Sequence, residues 1–193
     1  ASSSFSVNAT STITCGGVPG QNQTNAARQS AAAYQTALRW KLGDGDAYGK
    51  KAIEILNAWA RTCKKIDGDS NYALGAGFHG YQFANAAEIM RDYEGWSRED
   101  FEAFKEFMRT VFLSQNYYFL ITKNGTIDIG KPTHYPTNWG FVNVLSAISI
   151  GILCDDPFIY NFSIQYYKYD LMNNFEDHIN PEPGAEFWIS GLT

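Results

Sequence analysis

The sequence predicts an all-helical chain arranged in two layers, and three observations carry that expectation. Apolar residues recur at three- and four-residue spacing along six segments, and strand-like alternation is almost absent. One of the six segments is apolar nearly all round, whereas the others are amphipathic. A helix apolar on every side needs neighbours on every side, so an inner layer is implied behind an outer one. An α/α toroid, a plain helical bundle and a helical solenoid all satisfy that pattern.

Residues 1–23 are rich in Ser, Thr, Asn and Gly and read as an irregular N-terminal arm. A helical core is expected over 24–172. Its first helix spans 25–42, with Ala27, Ala31, Tyr34 and Leu38 on one face and Gly43 as the stop. The second covers 46–64, with Ala52, Ile53, Leu56, Trp59 and Ala60 along one side and Lys64-Lys65 suiting its C-terminal dipole. After a polar loop the third spans 81–93, with Phe83, Ala86, Ala87 and Met90 in register. The fourth has the clearest start: Ser97 and Asp100 form a capping box, with Trp96 and Phe101 placed as a hydrophobic staple. Residues 117–137 carry Gly, Pro and β-branched residues and read as a long functional loop. The apolar helix covers 139–153, and Asp156-Pro157 is an N-cap and first-turn pair for a helix running to about Met172.

A chain of 193 residues suffices for one domain with a sizeable core. The tail, 173–193, reads as irregular and ends on apolar Phe187, Trp188, Ile189 and Leu192 with nothing to pack against. Residues 1–193 are therefore expected to be one truncated helical domain, with the remaining C-terminal part of the same precursor as a partner. The net charge of −5, with no block of like charge, argues against nucleic acid. No apolar run is long enough to span a membrane. Sequons at Asn8, Asn22, Asn124 and Asn161 point to a secreted, extracellular glycoprotein. Cys15, Cys63 and Cys154 are an odd number, so a disulfide would leave one thiol free or paired outside this chain. None has metal-ligand spacing with the three histidines; no metal or other cofactor is expected. Aromatics make up 16% of residues, which suits a carbohydrate groove as well as ordinary core packing.

Three stretches carry a resemblance. They are Ala47 to Trp59 (AYGKKAIEILNAW), Gly80 to Arg91 (GYQFANAAEIMR), and Asn138-Trp139-Gly140 with Ile150 to Asp156 (IGILCDD). Together they resemble the alginate-lyase-like superfamily of polysaccharide lyases, particularly its secreted members. The resemblance implies an incomplete α/α toroid (barrel) of antiparallel helical hairpins with a groove across its mouth. It also implies cleavage of a 1,4-linked uronic-acid polysaccharide, of alginate or glucuronan type, by β-elimination.

Elimination needs the uronate carboxylate neutralised, a base for the C5 proton, and an acid for the departing O4. In lyases of this superfamily an Asn neutralises the carboxylate, often with a His, and Tyr or His moves the protons. Asn138, opening the apolar helix, is the matching neutraliser, although its position suits an N-cap equally. Family members often carry His directly after that Asn; this chain has Trp139, a substrate-binding candidate instead. His134 and Tyr135 just upstream are candidates for base and acid. His79, Tyr81 and Gln82, expected at the start of the third helix, are candidates for substrate binding. Arg28, Arg39 and Arg91 could pair a carboxylate but sit on helix faces, and His178 lies in the tail.

Two other readings remain open. A glycoside hydrolase on an α/α barrel would need two flanking carboxylates, for which Asp128 and Glu186 are available but tied by no spacing. A non-catalytic carbohydrate-binding helical module fits the same architecture.

Overall fold

The computed structural model of the chain describes residues 1–123 and 138–171. Among them the secondary structure is predominantly helical. Helix α1 (Gln23–Lys41) is followed by α2 (Asp46–Thr62) and α3 (Asn71–Ile89), then α4 (Arg98–Phe107). The α4 rod continues without a break through a π-helical stretch (Met108–Leu113), α5 (Ser114–Tyr117) and a second π-helical stretch (Tyr118–Lys123). Helix α6 (Asn138–Leu153) and α7 (Pro157–Gln165) follow, with a π-helical extension over Tyr166–Leu171. No helix is long and apolar enough to cross a membrane among these residues.

Local signals set several of these ends. Gly43 stops α1 with φ 93°, a backbone conformation that costs glycine least. The Ser97 hydroxyl accepts from the Asp100 amide (3.1 Å), and the Trp96 and Phe101 rings meet at 5.0 Å. The Asp100 carboxylate is taken by Arg61 (2.7 Å), which ties α4 to α2. At α7, the Asp156 carboxylate accepts from the Phe158 and Ile159 amides, with Pro157 behind it.

Four expectations are corrected. Helix α3 begins at Asn71, ten residues before the expected 81, because Gly75, Gly77 and Gly80 are packing residues inside the helix rather than turn residues. Residues 117–123, expected in a loop, complete the α4 rod: Phe112, Asn116, Phe119 and Leu120 keep a buried helical stripe. The N-terminal arm is not irregular. Its β1 (Thr12–Cys15) pairs in parallel with β2 (Lys65–Gly68), in the register Thr12 to Lys65 and Cys15 to Gly68. Ahead of it, residues 1–8 run along α1, where Gln29 donates to the Ser6 carbonyl and Asn25 to that of Asn8. Finally, the three cysteines are free thiols, all buried.

The core has α3 at its centre, flanked by α1 on one side and α6 on the other, while α2 packs on α1 and α7 on α6. Trp59, Phe83, Phe104, Phe107 and Phe112 fill the space between the layers. The three central helices run in the same direction. Gln23 and Thr24 of α1 lie beside Asn71 and Leu74 of α3, and a turn or two further on Ser30 donates to Gln82 (2.7 Å). Likewise Gly77 faces Val142 and Gly80 faces Ser146. A Cβ on Gly77 would stand 2.9 Å from the Val142 carbonyl carbon, so the glycine lets the two backbones approach. The consequence for the site is that α1, α3 and α6 present their N-termini at one rim.

Candidate active site

At that rim a cleft of about 410 Å³ opens between α3, α6 and the end of the α4 rod. Its walls are Asp69, Ser70 and Tyr72 at the entry to α3, Tyr118 and Phe119 from the rod, and Trp139 in the first turn of α6. The entry turn is held rigidly. One Asp69 oxygen accepts from the Asn71 amide (2.9 Å) and side chain (2.8 Å), and the other accepts from the Gly17 amide (3.1 Å). These bonds, led by the Asn71 amide, hold the Asp69 carboxyl below the usual range. Phe119 is buried and meets the half-buried Trp139 ring at 6.0 Å, giving an apolar back wall. Burial, and then the neighbouring Tyr118 phenol, push Tyr72 upward, so it keeps its proton at neutral pH and can donate it.

Behind the cleft lies a fully buried amide network. Asn116 donates to the Asn143 side-chain oxygen (2.7 Å), and Ser146 donates to that of Asn116 (2.8 Å). The Asn143 amide nitrogen donates to the Ala73 carbonyl (3.1 Å) and the Trp139 carbonyl (2.9 Å). One side chain thereby locks the first turn of α6 to the first turn of α3 and to the rod, which fixes where Asn138 and Trp139 project.

A second cleft, of about 330 Å³, lies on the other side of α3, against the first turns of α1. Phe78 and His79 form part of it. His79 is 6% exposed, and burial pushes its imidazole down to about 4.

Asn138 is the first residue of α6 and exposed at the rim. Trp139 follows it into the first cleft. His134 and Tyr135 lie outside the described residues, as do Asn124, Asp128, His178 and Glu186. His79, Tyr81 and Gln82 do not open α3, as expected, but sit past its second turn. Gln82 is half-buried and engaged by Ser30 of α1. The arginines are structural or peripheral. Arg28 is exposed, Arg39 pairs with Asp44, and Arg91 pairs with Glu88 and Asp155 while donating to the Ile152 and Leu153 carbonyls. Asn8 and Asn161 are exposed, whereas the half-buried Asn22 clasps β1 through the Thr12 carbonyl and Thr14 amide. Among the described residues no cluster of His, Cys, Asp and Glu could hold a metal ion.

Tyr72, Tyr118 and Asp69 had not been singled out from the sequence. The signal for Tyr118 was the continuing helical stripe after Val111, and that for Tyr72 was the small-residue stripe Ala73, Ala76, Gly80.

The family model described as alginate lyase matches residues 18–178, from the end of the N-terminal arm through the last helix. The chain belongs to the alginate lyase family. Membership supports polysaccharide lyase activity at the level of the family, and a polysaccharide as its substrate. No curated protein and no solved structure matches the chain significantly.

Proposed function

We propose that the chain is a lyase of 1,4-linked uronic-acid polysaccharide, working at the rim where α3 and α6 begin. The observation that carries this is the position of Asn138: an exposed amide opening a buried helix, beside a cleft walled by Trp139, Tyr72 and Tyr118. The arrangement of α1, α3 and α6 side by side, with α2 and α7 outside them, fits an arc of an incomplete α/α toroid. Substrate lies across that arc with sugar rings against Trp139.

The uronate carboxylate meets the Asn138 amide at the first turn of α6, where the helix dipole favours negative charge. With that charge offset, the C5 proton becomes acidic enough to remove. A base takes it, and the C5–H electron pair becomes the C4=C5 double bond. The C4–O4 bond breaks, and an acid protonates O4. His134 and Tyr135, four and three residues before Asn138, are assigned to those proton transfers. Tyr72 and Tyr118, on the opposite wall, hydrogen-bond sugar oxygens.

The expected product is an unsaturated uronate, read as new ultraviolet absorbance when the chain is incubated with a panel of polyuronates. Asn138→Ala is expected to lower kcat by about 10²–10³-fold, as loss of one oxyanion donor does. Reducing ends without that absorbance would instead indicate a hydrolase. On the same reading the protein acts outside the cell, carrying glycans at the exposed Asn8 and Asn161. A mass decrease on enzymatic deglycosylation of the secreted chain checks that assignment.

A further inference from the structure

The second cleft contains a feature that packing alone does not explain. His79 is a polar side chain more than nine-tenths buried, yet its ring makes no hydrogen bond to any described residue. Buried polar groups in native proteins are almost always paired, so a ring with no protein partner takes one from the cavity it lines, water or a ligand hydroxyl. The His79 side chain forms part of the cavity wall. Its Nε2 is 3.8 Å from where a Cβ on Gly75 would stand, on the side of the buried Cys15 thiol, and Gly75 lines the same cleft one turn earlier. Phe78, at the cleft mouth, is 42% exposed, an unusual placement for a large apolar ring on a central helix. The described lining adds Thr24, Gln23 and Asn71 but no Lys or Arg.

We infer that this cleft is a distal sugar subsite, in which one pyranose stacks on Phe78 and exchanges hydrogen bonds with the His79 imidazole through its hydroxyls. The inference rests on the lyase reading for the identity of the chain bound, and adds to it which face of the sugar is recognised and how far from the cut. A neutral imidazole has one donor and one acceptor nitrogen; sugar hydroxyls can satisfy both, whereas a carboxylate can satisfy only the donor. Burial keeps the ring neutral at physiological pH. Absence of a cation in the described lining agrees with recognition of a hydroxyl face. The two clefts are separated by the first turns of α3, hence by one helix width, about 10 Å. A polysaccharide lying across the rim would cover both, and a short oligomer only one.

The test uses oligouronates of increasing length with the full chain. The ring resonances of His79, one of three histidines in the sequence, are followed with labelled histidine in the Asn138→Ala background, where substrate persists. A hexasaccharide is expected to move them and a disaccharide to leave them in place. In parallel, the gain in kcat/KM from trisaccharide to hexasaccharide is compared for His79→Phe and Phe78→Ala. Both are expected to reduce that gain by about fivefold or more, the effect of one hydrogen bond or one stacked ring. Phe78 lies at the surface, so its variant is informative even where replacing His79 impairs folding. Unmoved resonances at saturating hexasaccharide, or an undiminished length gain in Phe78→Ala, would overturn the subsite. Equal perturbation by the disaccharide would also overturn it as a distal site. Movement of the His79 resonances without an unsaturated product from any polyuronate would instead leave the subsite standing and remove the lyase reading.

Discussion

Asn143 is the residue on which the position of the site depends most. It touches no solvent and no cleft, yet it joins the Ala73 carbonyl, the Trp139 carbonyl and the Asn116 amide. In low dielectric, each of those groups left unpaired costs about 1–3 kcal/mol. Asn143→Ala leaves the buried Asn116 amide nitrogen without its acceptor, whereas the Ala73 and Trp139 carbonyls keep the N–H four residues on within α3 and α6. The expected destabilisation is about 2 kcal/mol, read from the urea unfolding midpoint at unchanged slope. Because the network is shared, Asn116→Ala combined with Asn143→Ala should fall short of the summed single effects by at least about 1 kcal/mol. Additive losses would mean that the two amides act separately and that the first turn of α6 is held by its apolar contacts alone.

Among the elements, α3 decides how closely the central layer packs, and Gly77 shows how. A methyl group there would meet Val142 Cγ2 at 2.5 Å and the Val142 carbonyl carbon at 2.9 Å. The side chain could rotate away, but the backbone cannot, so α6 must shift outward. Gly77→Ala is therefore expected to cost about 1–3 kcal/mol despite the better helix propensity of alanine. It should also displace Trp139, seen as a change in its fluorescence. The same residue explains why α3 was only half legible in the sequence. Glycines at 75, 77 and 80 read as turn punctuation when neighbours are unknown, and become close-packing positions only once α6 and Cys15 are seen against them. The starts of α4 and α7 were legible because Ser97 and Asp156 act on amides two or three residues away. The short parallel pairing of β1 with β2 was not, since its partners are some fifty residues apart and its strands are four residues long. For the site, Asn138 and Trp139 could be named from the opening of an apolar helix. Tyr72 and Tyr118 reach the cleft only through the packing of three elements.

Taken as a whole molecule, the protein carries in its central layer a titratable group that makes stability depend on mild acidity. The folded chain holds His79 at about 4, against an ordinary imidazole value of 6.5, because burial penalises the charged form. The unfolded chain therefore binds a proton on this residue at a pH where the folded chain does not, and stability falls as the pH drops. Above 6.5 both states are neutral at this position and nothing is lost. Linkage gives a loss of about 2 kcal/mol by pH 5 and about 3 kcal/mol by pH 4. The neighbouring groups do not share the window. The Cys15 thiol is pushed up to about 11, by burial first and Asp69 second, while Asp46, Asp69 and Asp100 are held below the ordinary carboxylate value by their hydrogen bonds. Stability from those carboxylates goes only as pH falls through the still lower range where they protonate. A variant that keeps the volume and removes the titration, His79→Phe, should flatten the slope of unfolding free energy between pH 6.5 and 4 relative to the native chain. Parallel slopes for the two proteins would show that His79 takes up its proton in the fold at little cost, and that the second cleft is better hydrated than its burial indicates. Saturating oligouronate gives the complementary result: a ligand paired with the neutral ring should stabilise the native chain more at pH 7 than at pH 4.5.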